Sequence, residues 1–162
     1  MQVSFNWLKE FVDIDQTAEE IAETLTMGGI EVESLTRVGE SLGDVLTARI
    51  RAVVAHPSSD KLTLVTLDYG AKEVTVVCGA PNVREGQVVA YCPPGGCLPS
   101  GLRMEERVIK GITSPGMVCS EKELGLGEDE SGILELDRST PVGLALPKAL
   151  PWIEDVILDV SI

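Results

Sequence analysis

"VLTARIRAVVAHPSSDKLTLVTLDYG", residues 45–70, decides how this chain folds. Two runs rich in β-branched residues flank "HPSSDKL" at 56–62. Pro presets one backbone angle, and short Ser and Asp side chains bond the neighbouring backbone, so the middle piece reads as a turn. Strand, turn, strand follows, with strands expected near 45–54 and 62–69. Turning does not require His56, Lys61 or Leu62, so the stretch also raises the question of what this turn touches.

Further strands are expected near 73–78, 87–92, 107–109 and 132–136. "YGAKE" at 69–73 connects two of them through Gly70, and "PPGGCLPSG" at 93–101 is a loop dense in Pro and Gly. Many short strands with almost no helix between them point to a small β-barrel or sandwich. "STPVG" and "LPKALPW" then read as a proline-punctuated exit.

The flanks differ. Ser4 can cap a short helix carrying Phe5, Leu8 and Val12 at helical spacing, with Trp7 and Phe11 beside them. "TAEE" at 17–20 is a capping box, followed by the apolar stripe Ala18, Ile21, Ala22 and Leu25 and ended by Gly28-Gly29. "IEVE" at 30–33 and "VILDVSI" at 156–162 alternate apolar with polar, as half-buried strands do. In the second, Val156, Leu158, Val160 and Ile162 share a face. Two such strands need cover, so the flanking segments are expected to meet in one small sheet, Val32 near Val160, with both helices packed on it. A core-patterned strand at the very end leads us to expect that this flanking domain continues beyond residue 162.

Composition narrows the function. Of 162 residues, 44% are hydrophobic but only 4% aromatic, so the core must be aliphatic and base-stacking surface is scarce. No apolar run approaches the roughly 20 residues of a membrane span. The first residues lack the basic and apolar regions of a secretory signal, so the expected location is the cytoplasm. Cys78, Cys92, Cys97 and Cys119 form no CxxC pair and match no zinc spacing, so they read as reduced apolar side chains, and no metal site is expected. Glu128, Asp129 and Glu130 lack the alternating ligand spacing of a calcium loop and read as solvated. There is no phosphate-cradling GxxxxGK loop and no nucleophile motif, so no catalytic residue is expected. The net charge of −13 opposes a polyanionic partner at long range. It is unevenly spread: residues 49–110 hold 8 bases and 6 acids, a locally basic stretch on an acidic molecule.

"SFNWLKEFVDID", "LTMGGIEVE", "HPSSDKLTLVTLDYG", "VVCGAPNVREGQ" and "LPSGLRMEERVIKGITSPGMVCSEKELGLG" occur in this order. Together they resemble the N-terminal part of bacterial phenylalanyl-tRNA synthetase β subunits, along essentially the whole chain. The middle segment alone resembles a broader tRNA-binding module with an OB-fold. The resemblance implies an α+β chain: a β-barrel OB-fold at 40–150, inserted into a small, incomplete α/β flanking domain made of 1–39 and 151–162. It implies a ligase that joins phenylalanine to tRNA using ATP, with magnesium, in an α2β2 assembly with an α subunit. No active-site residue of that enzyme falls here, and no cofactor is implied for this piece.

In an OB-fold the face of strands 2–3 and the adjacent loops hold oligonucleotides. The candidate phosphate contacts are Lys61, with Ser58 or Ser59 as hydroxyl partners, and Arg84, Arg49, Arg103 and Lys110, with Arg51 and Arg107 in the same scattered set. The plainer alternative makes Pro57 and Ser58 turn residues, Asp60 a local acceptor, Leu62 a core plug and His56 a packing residue. "TLVTLDYG" and "VTVVCGAPN" carry no base, which weakens the case for the strand face. "GAPN" at 79–82 reads as a structural turn held by Asn82. "SPGMVCSEKELGLG" resembles the module's fifth strand and a following helix, with Met117 in the barrel core. The competing functions are a tRNA-binding or structural appendage of the synthetase, a free-standing tRNA-binding protein, and a purely structural assembly module.

Overall fold

The computed structural model describes all 162 residues, Met1–Ile162. Strand β1 (Gln2–Ser4) runs into α1 (Phe5–Phe11), whose first turn is capped by the Ser4 hydroxyl accepting from Trp7 N at 3.0 Å. Helix α2 (Ala18–Met27) starts with the expected capping box, in which the Thr17 hydroxyl accepts from Glu20 N and the Glu20 carboxylate accepts from Thr17 N. It ends where Ile30 N bonds Leu25 O and Gly29, at φ 91°, bonds Thr26 O, a termination that only a residue at ease with positive φ makes cheaply. Strand β2 (Val32–Val38) starts two residues later than the alternation implies. In the middle of the chain come β3 (Leu46–Ala55), β4 (Thr63–Asp68), β5 (Glu73–Cys78), β6 (Val88–Cys92), β7 (Glu106–Ile109), β8 (Ile112–Pro115), β9 (Met117–Val118), β10 (Glu135–Leu136) and the short α3 (Leu146–Ala149). Strand β11 (Asp155–Val160) closes the order. No helix is long and apolar enough to cross a membrane.

The chain divides into two compact units: Met1–Glu40 with Pro151–Ile162, and Ser41–Leu150. The first holds a three-stranded antiparallel sheet in the order β1–β11–β2. Val160 pairs Val32 and Leu158 lies between Val3 and Leu35, as the alternation requires. Phe5, Ala18, Leu158 and Val160 are buried together under α1 and α2. Burying each large aliphatic or aromatic side chain contributes about 1.5–3 kcal/mol. Ile162 does not join that face: it lies past the strand and is 95% exposed. Asp155 ties the strand to α1, accepting from Ser4 Oγ and from Asn6 N at 2.9 Å.

The second unit is a curled, half-barrel antiparallel sheet of the OB type, in the order β10–β6–β3–β4–β5 with β9 also on β6. Its core is aliphatic, as the composition demands: Ala48, Ile50, Val65, Leu67, Val76, Val89 and Val118 around Tyr91. No ladder joins β5 to β8. The buried Ser114 hydroxyl instead spans that gap, accepting from Val77 N at 3.0 Å and donating to Gly116 O at 3.2 Å.

Three local expectations change. The strand expected at 107–109 is one arm of a hairpin, β7–β8, closed by Lys110 (φ 50°) and Gly111 (φ 84°). Positive φ at both central residues is the turn whose twist matches paired strands. The strand expected at 132–136 shortens to Glu135–Leu136. The helix expected after the fifth strand is absent. Its first turn begins with Ser120 and Glu123 capping each other, then Leu126 N bonds Glu121 O and Gly125, at φ 67°, bonds Lys122 O, which stops it at once.

Because Ser114 satisfies a backbone donor where no strand does, Ser114→Ala leaves Val77 N–H buried and unpaired. The variant should lose about 1–3 kcal/mol of stability, read as a lower urea midpoint with an unchanged slope.

Candidate nucleic-acid interface

The turn at 56–62 touches the β7–β8 hairpin. His56 is buried. Its Nδ1 accepts from Ser58 N at 3.0 Å, so the ring proton sits on Nε2, which donates to Ile109 O at 3.2 Å. His56 N donates to Leu62 O, which closes the turn at its base, and Ser59 Oγ accepts from Lys61 N. The roles expected inside the turn therefore shift. The imidazole and Ser59 do the local accepting expected of Asp60, which is exposed and takes no hydrogen bond. Leu62 is half-buried against Gly79 rather than a full core plug. His56 is a packing residue of a particular kind, a clamp between two loops 53 residues apart in sequence.

The structure sorts the basic residues into engaged and free. Arg51 chelates Asp68 through Nε at 3.1 Å and through Nη2 at 2.5 Å. That guanidinium, followed by the Gly70 amide, holds the Asp68 carboxyl below its usual range. Arg84 grips both oxygens of Glu135, at 3.2 and 3.1 Å. Arg49 donates to the carbonyls of Gly86 and Arg138. Arg49 and Arg84 thus converge on the Gly86–Arg138 neighbourhood, but each is held by protein acceptors. Lys61 and Lys110 are exposed, in no salt bridge, and brought to one corner because His56 joins the turn of one to the hairpin of the other. Arg107 lies on the same hairpin, opposite Ser114. Arg103 sits apart, on the strand-like bridge to Cys97. On the β4–β5 face Thr66 and Thr75 share a hydrogen bond at 3.2 Å, and neither strand carries a base of its own.

A cleft of about 400 Å³ opens elsewhere on this unit, beside Gly79, Pro81, Met117, Lys122, Glu123 and Glu130. Met117 is half-buried there rather than in the barrel core. Lys122 is already paired with Glu130 at 2.7 Å, so the cleft presents Glu123 with no free cation and does not suit a phosphate. "GAPN" is the structural turn its residues imply: Asn82 donates to Ile133 O at 3.0 Å and accepts from Ile133 N at 2.9 Å. Gln87 braces it, donating to Asn82 O and accepting from Arg84 N.

A half-barrel with free cations on its loops and none on its strand face is the framework of a nucleic-acid-binding module. Residues 45–145 match the family described as "Putative tRNA binding domain", and the chain belongs to that family. Along its whole length it is also similar to curated proteins of one name. It is 43% identical over 162 residues to "Phenylalanine--tRNA ligase beta subunit" of Syntrophus aciditrophicus (strain SB), covering 100% of this chain and 20% of that protein. It is 49% identical over 136 residues to the protein of the same name from Syntrophotalea carbinolica, covering 84% of this chain and 17% of that one. A third, from Salinibacter ruber, is 41% identical over an alignment that takes in 100% of this chain and 21% of that protein. The chain thus spans about a fifth of the length of the curated relatives it matches.

The cysteines bear on chemistry only through exposure. All four are free, and only Cys97 is exposed. Burial pushes the Cys92 thiol up to about 11 and raises Cys78 and Cys119 as well, which removes the thiolate that reacts. A thiol reagent at neutral pH should label Cys97 quickly and the other three only on unfolding. Peptide mass mapping after brief alkylation checks this; fast labelling of Cys119 would show that the β6–β9 edge opens.

Proposed function

We propose that this chain is the tRNA-holding part of a phenylalanine–tRNA ligase β subunit, the enzyme that attaches phenylalanine to tRNA using ATP. The observation that carries the reading is the pairing of two facts: homologues of that name run the length of the chain, and the tRNA-binding family matches the half-barrel whose loop corner bears Lys61 and Lys110. The full enzyme would work in the cytoplasm with an α subunit as an α2β2 assembly. The chain's own contribution is positional. The ATP and magnesium of that reaction would be held by other parts of the enzyme.

Affinity from this piece alone should be modest, with a dissociation constant on the order of 10⁻⁴ M near physiological salt. The net charge of −13 repels the RNA backbone, but screening confines that to roughly 8 Å. Inside that distance the unpaired lysines of the corner meet phosphate first. Arg49, Arg84 and Arg103 are secondary candidates; the first two must leave protein acceptors to contribute.

One observation favours a structural role instead: Arg51 and Arg84 are neutralised by the protein's own Asp68 and Glu135. The two readings separate on one measurement. In the full-length protein, Lys61→Glu with Lys110→Glu should raise the dissociation constant for tRNA by roughly tenfold or more and flatten its salt dependence, since each phosphate contact adds a slope of about 0.7–0.9. Unchanged tRNA binding, with α-subunit assembly intact, would assign the half-barrel to architecture.

A further inference from the structure

We propose that the cleft between β5 and β9 is a docking site for one long basic side chain, an arginine or a lysine, carried by a segment of a partner protein. This goes beyond the tRNA-binding reading and does not depend on it.

The cleft, of about 400 Å³, lies wholly within the half-barrel. No ladder joins β5 to β9, so the curled sheet leaves an opening there. The floor is apolar. Val77, Cys78, Val118 and Ile133 are buried, and half-buried Met117 beside them is a flexible side chain that adapts its shape to a guest. The wall above is acidic: residues 120–131 hold 5 acids and 1 base. That base, Lys122, is engaged with Glu130 at 2.7 Å. Glu123 is the lining carboxylate with no cation of its own. Its Oε2 accepts from Ser120 N at 2.7 Å and from Ser120 Oγ at 2.9 Å, which orients the group and leaves Oε1 without a hydrogen bond.

An apolar floor under an oriented carboxylate selects a particular guest. Arginine and lysine have an apolar stem and a cationic tip, so the stem covers apolar surface while the head stays at the water boundary. Here the stem lies on Val77, Met117 and Ile133, and the head donates to Glu123 Oε1 in a charge-assisted hydrogen bond. Because Ser120 already holds the carboxylate, little side-chain freedom is lost on binding. The Lys122–Glu130 pair is the same chemistry made within the chain. The strands favour a polypeptide guest over a free amine. Cys119 N donates to Ala90 O on β6, so the backbone N–H and C=O of Val118, one residue earlier, turn away from β6 to the side of the opening. A peptide backbone has these groups to meet as well as a place for its side chain.

The test uses the full-length protein and a dye-labelled pentapeptide with one central arginine flanked by valines. A second peptide carries citrulline, the neutral isostere, in place of arginine. Anisotropy titrations run to protein concentrations on the order of 0.1 mM. The arginine peptide should bind roughly tenfold or more tightly than the citrulline peptide. Glu123→Gln with Glu130→Gln should remove that advantage, the size expected for a hydrogen bond to a charged group. Glutamine at 123 keeps an oxygen for Ser120, which guards the local fold. Glu10→Gln with Glu23→Gln removes the same two charges from exposed sites on the other unit. That control should change binding by less than about twofold, since screening confines the reach of remote charge. No binding of the arginine peptide, equal binding of the citrulline peptide, or an equal loss in the control variant would overturn the proposal. Displacement of the peptide by an equal concentration of arginine amide would overturn the protein segment as the guest. None of these outcomes touches Lys61 or Lys110, so the tRNA-binding reading stands or falls separately.

Discussion

Strand β3 is shared between two partners, and the half-barrel follows from that sharing. Residues 46–49 pair with β6, whereas residues 49–55 pair with β4. A flat strand would offer both edges along its whole length. This one changes neighbours midway, across an irregularity between Ile50 and Ala52 that lets it bend and twist. Ile50 still exchanges backbone bonds beyond the end of β6, accepting from Gly86 N and donating to Gln87 O, both at 2.8 Å. The bend wraps β4–β5 over the apolar side chains of β6, and Ala48, Ile50, Val65, Val76 and Val89 close into one core.

With the sheet curled, its loops are brought to the rim, and the rim is where the chain's polar interest lies. The turn after β3 and the β7–β8 hairpin are far apart in sequence and meet because Ser114 on β8 bonds Val77 near the end of β5, which pairs with Leu64 just after the turn. His56 then fixes the meeting, as a neutral ring that accepts at one nitrogen and donates at the other. A lysine in either position, with three donors and no acceptor, could not make both bonds. The corner bearing Lys61 and Lys110 is thus a product of packing inside the half-barrel.

Periodicity and capping signals made much of this legible. Val160 opposite Val32, the Thr17–Glu20 capping box, the strands of the half-barrel's centre and the Asn82 turn all follow from residues close together in sequence or from alternation alone. What escaped was decided at a distance or by a single glycine. The second arm of the hairpin, "ITSP", is short and ends in Pro115, so alternation had little to register. A capping pair at Ser120 and Glu123 promises a helix, and Gly125 ends it after one turn. The role of His56 depends on a carbonyl 53 residues away, and the fate of Arg84 on a carboxylate 51 residues away.

Folding makes the bases of such a module unequal. Counting bases along 49–110 treats all 8 as equal. In the folded chain Arg51 and Arg84 have carboxylate partners, and any phosphate reaching for them must compete with an ion pair already formed at 2.5–3.1 Å. Exposed pairs of this kind contribute only about 0–1 kcal/mol to stability, so their more telling effect is to make those arginines less available. An unpaired lysine gives up only hydration when it meets a phosphate, and it returns counterion entropy to the solvent. On an acidic molecule, two free lysines at a pinned corner can therefore outweigh a larger number of arginines that the fold has already neutralised.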